Sequence, residues 1–164
     1  MGRVRNGLVT ACDKGLELAQ LTDITALLVA AANLVAGGLG AWAWWRGEAG
    51  RAFWWAVRAG QAAATALAVL AAVLLVSGYD ARQDLLYLYL LLPIAVSIIA
   101  EQLRVASAQT VLDQRGIEDA QAVGRLPETQ QHDVVWAIVR REAGVMTVAA
   151  LVIALLALRV LGNT

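Results

Sequence analysis

The sequence has few of the residues from which redox and metal sites are built. Cys12 is the single cysteine and His132 the single histidine among 164 residues. One cysteine excludes an internal disulfide, a CxxC redox pair and a zinc–thiolate cluster within the chain. One histidine excludes a b-type haem held by two histidines of this chain. Glu128 and Asp133 near His132 are too few ligands for a metal site, so a solvated histidine is the favoured interpretation. We predict no cofactor, no metal and no catalytic residue.

Charged residues are also scarce. They make up 16% of the chain and apolar residues 60%, against about 25% and about 45–50% in ordinary soluble proteins. The net charge is zero, so no basic field points to nucleic acid as a partner. The apolar residues come in four long blocks that reach, or nearly reach, the ~20 residues that cross a ~30 Å hydrocarbon layer. A soluble hydrophobic four-helix bundle is the disfavoured alternative, because its helices should carry a polar stripe.

These blocks predict an all-α, polytopic membrane protein with four transmembrane helices, at about residues 24–45, 56–77, 85–104 and 143–161. The four helices form one domain over residues 23–164. Residues 1–22 have a modest apolar face and predict an amphipathic segment at the membrane interface. Thr22 and Asp23 then predict the N-cap of the first membrane helix.

The third and fourth helices are predicted to extend beyond the membrane. The sequence from Leu85 becomes polar at Glu101 without a helix breaker and continues to Gln114. Arg115–Gly116 predicts the end of that helix, and Pro127–Glu128 the start of the last one. Two apolar rows, Val105–Leu112 and Val134–Val139, can pair with each other. We therefore expect a soluble helical hairpin over about residues 105–142.

Aromatic residues mark both predicted membrane faces. Five of the six tryptophans flank the charged turn 46–51, at Trp42, Trp44, Trp45, Trp54 and Trp55. Indole rings favour the headgroup layer, so this cluster predicts an aromatic belt and no ligand site. Tyr79, Tyr87 and Tyr89 predict a sparser belt at the opposite face.

Small residues predict where the helices pack. In lipid, glycine and alanine allow helix backbones to approach closely. The second block carries an i, i+4 row of them from Ala52 to Ala72, and the partner of that row is either the first helix or another copy of the chain. The predicted packing face comprises Gly37, Gly40, Ala56, Gly60, Ala64, Ala68 and Ala72.

Four polar residues are candidates for transport or docking. Asn33 lies in the middle of the first block, where an interhelical hydrogen bond is favoured over a pore contact, and Gln61 lies beside the small-residue row. Glu101 and Arg104 lie where the third block turns polar, and at spacing i, i+3 they can pair. Charged groups near hydrocarbon are costly and often functional. An interfacial or packing role is favoured for this pair, ahead of an ion or proton pathway or the docking of a partner.

The distribution of arginine and lysine predicts the orientation. One side of the membrane holds eight of them, Arg46, Arg51, Arg58, Arg104, Arg115, Arg125, Arg140 and Arg141. The other side holds five, Arg3, Arg5, Lys14, Arg82 and Arg159. The positive-inside rule therefore predicts a multi-pass protein of the cell (inner) membrane with residues 105–142 in the cytoplasm and both termini outside.

The run AEQLRVASAQTVLDQRGIEDAQAVGRLPE, from Ala100 to Glu128, resembles a run in uncharacterised small four-span integral membrane proteins of GC-rich bacteria. The resemblance extends over residues 85–161. It implies a membrane location and a four-span architecture, and it implies no activity.

Three functional hypotheses follow. The preferred one is a non-enzymatic subunit or assembly and docking partner of a membrane complex, in contact with the lipid bilayer and with a homo-oligomer or a membrane protein partner. The alternative is a small oligomeric transporter or channel lined by Asn33, Gln61 and Glu101. An enzyme acting on lipid is disfavoured, because only Glu101 is placed to supply acid–base chemistry.

Overall fold

The described part of the chain folds into four long helices and one short one. The computed structural model describes residues 2–76 and 85–162. The helices are α1 (Gly2–Arg46), α2 (Arg51–Val76), α3 (Leu85–Gln114), α4 (Ala120–Val123) and α5 (Glu128–Leu161). The described part of the chain contains no strand, so the predicted all-α class is confirmed. Tyr79 and the side chain of Tyr87, predicted to mark one membrane face, lie outside what is described.

Four helices are long and apolar enough to cross a membrane, over Gln20–Arg46, Arg51–Val76, Leu88–Gln114 and Glu128–Leu161. Their outer faces carry exposed leucine, isoleucine and valine. Leu28 is 61% exposed, Leu75 62%, Ile98 58% and Leu155 67%. Soluble monomers rarely expose contiguous apolar patches of this kind. The outer surface is therefore suited to lipid, as the sequence predicts for a membrane protein.

The four long helices form a bundle in which each packs mainly against two others. α1 packs against α2 and α5, and α3 packs against the same two helices. Two apolar clusters fill the interior. One includes Val29, Leu67 and Leu90, and the other, nearer the α1–α2 turn, includes Phe53 and Met146.

The predicted helix start at Thr22–Asp23 is wrong. α1 is continuous from Gly2 to Arg46, and Thr22 is buried within it. Neither glycine nor proline occurs between Leu16 and Ala36, so nothing in the local sequence interrupts the helix. Residues 1–22, predicted as a separate segment, are thus helical from Gly2 onward and continuous with the first apolar helix.

The predicted boundaries of the third and last helices are confirmed. α3 runs through Pro93 and past Glu101 without a break. It ends before Gly116, whose φ of 66° is the left-handed conformation that glycine adopts most easily. α5 begins at Glu128, directly after Pro127.

The predicted apolar stripe between α3 and α5 is correct only in part. Val111, Leu112 and Val134 are buried, with exposed fractions of 6%, 5% and 1%. Val105 and Val135, however, are 69% and 51% exposed. A stripe read from sequence does not specify how each helix is rotated about its axis, and that rotation turns these two valines outward.

Candidate functional site

Asn33 lies inside the bundle, on α1 between the two apolar clusters. Its side chain is 3% exposed, and its Nδ2 donates a 2.9 Å hydrogen bond to the carbonyl oxygen of Val29. The same nitrogen lies 3.5 Å from the carbonyl oxygen of Gly60 on α2, at the limit of a hydrogen bond. A Cβ at residue 60 would lie only 2.8 Å from Asn33 Oδ1. Asn33 therefore lies close against α2 at Gly60, where an added side chain would require the Asn33 amide to shift.

Gln61 and Glu101 meet between α2 and α3. The Gln61 Nε2 donates a 2.7 Å hydrogen bond to Glu101 Oε1. Arg58, one turn before Gln61, donates from NH1 to Gln61 Oε1 at 3.2 Å and pairs with Glu101 Oε1 at 3.5 Å. The structure thus brings together two of the polar residues that the sequence singles out, and it adds Arg58 to them.

Arg104 extends this cluster to α5. Its NH1 lies 3.2 Å from Glu101 Oε2, which confirms the predicted i, i+3 pair. Its Nε lies 3.5 Å from Glu142 Oε2 on α5, and its guanidinium lies 4.8 Å from the ring centroid of Trp54 on α2. A single arginine side chain therefore contacts three helices.

The polar cluster, defined as Arg58, Gln61, Glu101, Arg104 and Glu142, has two positive and two negative charges. Three of its charged side chains are partly buried, with exposed fractions of 32% for Glu101, 29% for Arg104 and 18% for Glu142, whereas Arg58 is 61% exposed. Partly buried charges require partners, because each loses part of its hydration. Within this cluster each charge has an opposite charge within 4.0 Å, so the cluster is electrostatically balanced.

Sequence reasoning missed Glu142 and Trp54 as members of this site. Glu142 follows two arginines and reads as part of an ordinary basic anchor, and Trp54 reads as part of the aromatic belt. One signal could have revealed Glu142: it directly precedes the last apolar block, just as Glu101 directly follows the apolar part of the third block. Both carboxylates are therefore expected near a membrane boundary. Its partner is 38 residues away in sequence, so the local sequence does not reveal the pair.

A second group of contacts packs the α1–α2 turn against the start of α5. The Arg140 guanidinium lies 5.0 Å from the ring centroid of Trp136 and 5.6 Å from that of Trp44, both within cation–π range. Gly47, in the turn, has a φ of 71°, and a side chain there would collide with the indole of Trp136. Trp136, the sixth tryptophan, therefore joins the five others at one end of the molecule.

A small cavity lies inside the bundle. Its volume is about 10 Å³, and its lining includes Asn33, Gln61 and Ser97. A buried water needs roughly 10–15 Å³ measured in this way. The cavity accommodates about one water molecule and is far too small for a solute.

Not every residue of the predicted packing face is buried. Gly37 and Gly40 are buried against α5. A Cβ added at Gly37 would lie 2.6 Å from the Leu151 side chain, and a Cβ added at Gly40 would collide with Thr147. Gly60 and Ala64 are buried as well, Ala56 and Ala68 are half-buried, and Ala72 is exposed. An i, i+4 row drifts around a helix with 3.6 residues per turn, so only its middle faces the neighbouring helices.

No group of three or more histidine, cysteine, aspartate or glutamate side chains converges to hold a metal ion within the ranges that the structure describes. His132 is exposed on α5. Charged pairs of the polar cluster link α2 to α3 and α3 to α5. Chemically, these contacts can hold three helices together.

No family model matches this sequence, and no curated protein or solved structure was found to be similar to it.

Proposed function

We propose that the protein is a multi-pass protein of a bacterial cell membrane. The exposed apolar faces of four long helices support this placement. The six tryptophans lie at one end of the bundle, where an aromatic belt is expected. The majority of arginine and lysine, eight against five, lies on that side and supports its assignment to the cytoplasm.

Residues 105–142 then form a helical hairpin in the cytoplasm. α3 continues for 13 residues beyond Glu101, from that residue to Gln114, which corresponds to roughly 20 Å of helix. α5 packs against α3, and Val134 near its start is buried. Val105 and Val135 are exposed, so this segment presents apolar side chains outside the membrane. A protein partner could cover them.

The function that these features support best is a non-enzymatic subunit or assembly partner of a membrane complex. One observation supports it above the others: the four charges of the polar cluster are paired with one another inside a single protomer. Glu101 contacts Arg58 and Arg104, and Arg104 contacts Glu142. A cluster whose charges are already paired stabilises the base of the hairpin and does not require a transported ion. The hairpin above it is the element available to a partner.

Site-specific photo-crosslinking in cells tests this proposal. A photoreactive phenylalanine analogue replaces Val105 or Val135 on the hairpin, and Val76, which is 88% exposed at the opposite end of α2, serves as the matched control. We expect discrete protein adducts from the two hairpin positions and none from residue 76. The same preparation in mild detergent should contain an oligomer or a hetero-complex. A monodisperse monomer without adducts through residues 101–142 would contradict the proposal.

A small oligomeric transporter or channel is the second candidate, favoured by one specific observation. Asn33, Gln61 and Ser97 line the same cavity, and Gln61 bonds directly to Glu101. Polar groups therefore lead from the middle of the bundle to the polar cluster. For transport, this path must widen or continue between protomers, because the cavity of about 10 Å³ passes no hydrated ion.

Ion flux into proteoliposomes separates the two candidates. A transporter loses flux when Glu101→Gln or Asn33→Leu removes the polar path, whereas Glu118→Gln, an exposed change in the α3–α4 loop, leaves it intact. Flux at the level of empty liposomes for the unmodified protein, or flux unaffected by both path variants, would exclude this candidate and leave the docking proposal standing.

A further inference from the structure

A long apolar groove runs along the outer face of α5. Its volume is about 750 Å³, within the range of roughly 300–1,000 Å³ that is typical of small-molecule sites. α5 forms its floor, Trp44 of α1 stands on one side, and Ile99 and Leu103 of α3 stand on the other. The groove includes no residue of the polar cluster, and it adjoins the interior cavity at Ala100 and Ala149.

The length of the groove matches one leaflet of a bilayer. Along α5 it is lined from Arg141 to Val152, and these eleven residue steps correspond to about 16 Å of helix. Half of a ~30 Å hydrocarbon layer is ~15 Å. A transmembrane helix of a partner is therefore longer than the groove. An acyl chain of one leaflet has about the length of the groove.

The groove floor and walls offer almost no polar group. Val148 and Ile99 are 63% and 57% exposed along it. Thr147 lines it as well, but its Oγ1 already donates a 2.6 Å hydrogen bond to the carbonyl oxygen of Ala143. The lining therefore favours a flexible hydrocarbon chain over a polar solute.

A positive charge stands at one end of this apolar surface. Arg141 lines the groove and is exposed, and no ion pair joins it to any residue that the structure describes. Its neighbours are already engaged: Arg140 with Trp44 and Trp136, and Glu142 with Arg104. The Arg141 guanidinium is thus left as a cation for a phosphate, with which arginine forms strong, charge-assisted hydrogen bonds.

We propose that this groove binds an anionic phospholipid of the leaflet that contains the tryptophans. The phosphate lies against Arg141 beside the Trp44 indole, and one acyl chain lies along α5 from there as far as Val152. The site requires the membrane placement proposed above, but it does not depend on the hairpin or on any protein partner.

Native mass spectrometry tests this site. The protein is released from detergent micelles, and the fraction that carries bound lipid is measured with added phosphatidylglycerol or phosphatidylcholine. We expect phosphatidylglycerol to bind more tightly, and Arg141→Gln to weaken it about tenfold, the equivalent of roughly 1.4 kcal/mol. Arg51→Gln is the matched control, because Arg51 is an exposed arginine at the same end of the bundle and outside the groove. Equal binding of the two lipids, or equal loss in the two variants, would overturn the proposal.

A second pair of variants tests the apolar part. Val148→Trp fills the groove and is expected to abolish tight lipid binding, whereas Val69→Trp, at a position that is 59% exposed on α2, is expected to preserve it. Circular dichroism checks that both variants keep the helical fold.

If Val148→Trp instead dissociates a dimer and leaves lipid binding unchanged, the groove is an interface between two copies of this chain and the lipid proposal is wrong. Retained crosslinking from Val105 in the lipid-deficient variants would show that the partner proposal and the lipid site are separate.

Discussion

Gln61 and Glu101, which are 40 residues apart in sequence, are joined by a 2.7 Å hydrogen bond from Gln61 Nε2 to Glu101 Oε1. Glu101 also faces Arg58 on α2 and Arg104 on its own helix. Its carboxylate is therefore held by three side chains from two helices. This relationship places Glu101 against protein, and it makes the residue a structural link as well as a candidate for chemistry.

Replacing Glu101 should destabilise the protein. The Glu101→Gln change keeps the size of the side chain but leaves Arg58 and Arg104 near each other without the carboxylate. We expect the free energy of unfolding to fall by about 1–2 kcal/mol, the usual magnitude for a hydrogen-bonded charge that is only partly exposed. Unfolding by sodium dodecyl sulfate in mixed micelles, followed by circular dichroism, measures this change.

A double-variant cycle isolates the ion pair. Because Glu101→Gln/Arg104→Gln removes both charges, its effect should be smaller than the sum of the two single effects, with a coupling of about 0.5–2 kcal/mol. Glu118→Gln, on an exposed loop residue, serves as the control and should change stability by less than about 0.5 kcal/mol. Strict additivity in the cycle would mean that the 3.2 Å contact contributes nothing to stability.

Replacement by alanine should affect stability differently at Gly38 and Gly40, which are two residues apart on α1. A Cβ at Gly40 would collide with Thr147 and lie 2.8 Å from the Phe53 ring, whereas a Cβ at Gly38 meets nothing within 4 Å. Gly40→Ala should therefore cost about 1–3 kcal/mol, the usual cost of overpacking. Gly38→Ala should be neutral or stabilising by up to about 1 kcal/mol, because alanine is the better helix former. The same detergent unfolding assay compares the two. Equal effects would show that α1 does not approach α5 as closely as described.

The proposed orientation predicts which loop is reachable from the cytoplasm. In a Cys12→Ser background, Glu118→Cys places a thiol in the hairpin and Gly162→Cys places one at the end of α5, both at exposed positions. A membrane-impermeant maleimide should label residue 162 in intact spheroplasts and residue 118 only in inverted vesicles. Labelling after solubilisation gives the total thiol for each variant. The reverse pattern would invert the topology and place the hairpin outside.

Much of the fold was predictable because it depends on local properties of the chain. Four apolar blocks predict four long helices, Gly116 and Pro127 predict where the hairpin helices end and begin, and the tryptophans predict a common end of the bundle. The failure at Thr22–Asp23 has a local reason as well: a capping residue begins a helix only when the preceding residues do not already form one.

Sequence alone predicts only those members of the candidate site that differ clearly from their neighbours in the chain. Asn33 and Glu101 stand out because polar residues are rare in apolar blocks. Glu142 and Trp54 do not stand out, because arginines and tryptophans around them suggest an ordinary interface. Their contacts with Arg104 arise from the register of α5 and α2 against α3, which no pattern within a single helix encodes.

The sequence alone determined the class of this protein, an all-helical chain with four segments suited to lipid, because hydrophobic length and helix propensity are properties of each segment by itself. Tertiary structure decided which polar residues meet. It joined Gln61 to Glu101 and Arg104 to Glu142, and it exposed Val105 and Val135 while burying Val134. It also left a groove beside Arg141. The physical reason is that helix rotation and register are set by how all four surfaces pack together, and glycine contacts such as Gly40 against Thr147 permit that packing at close range.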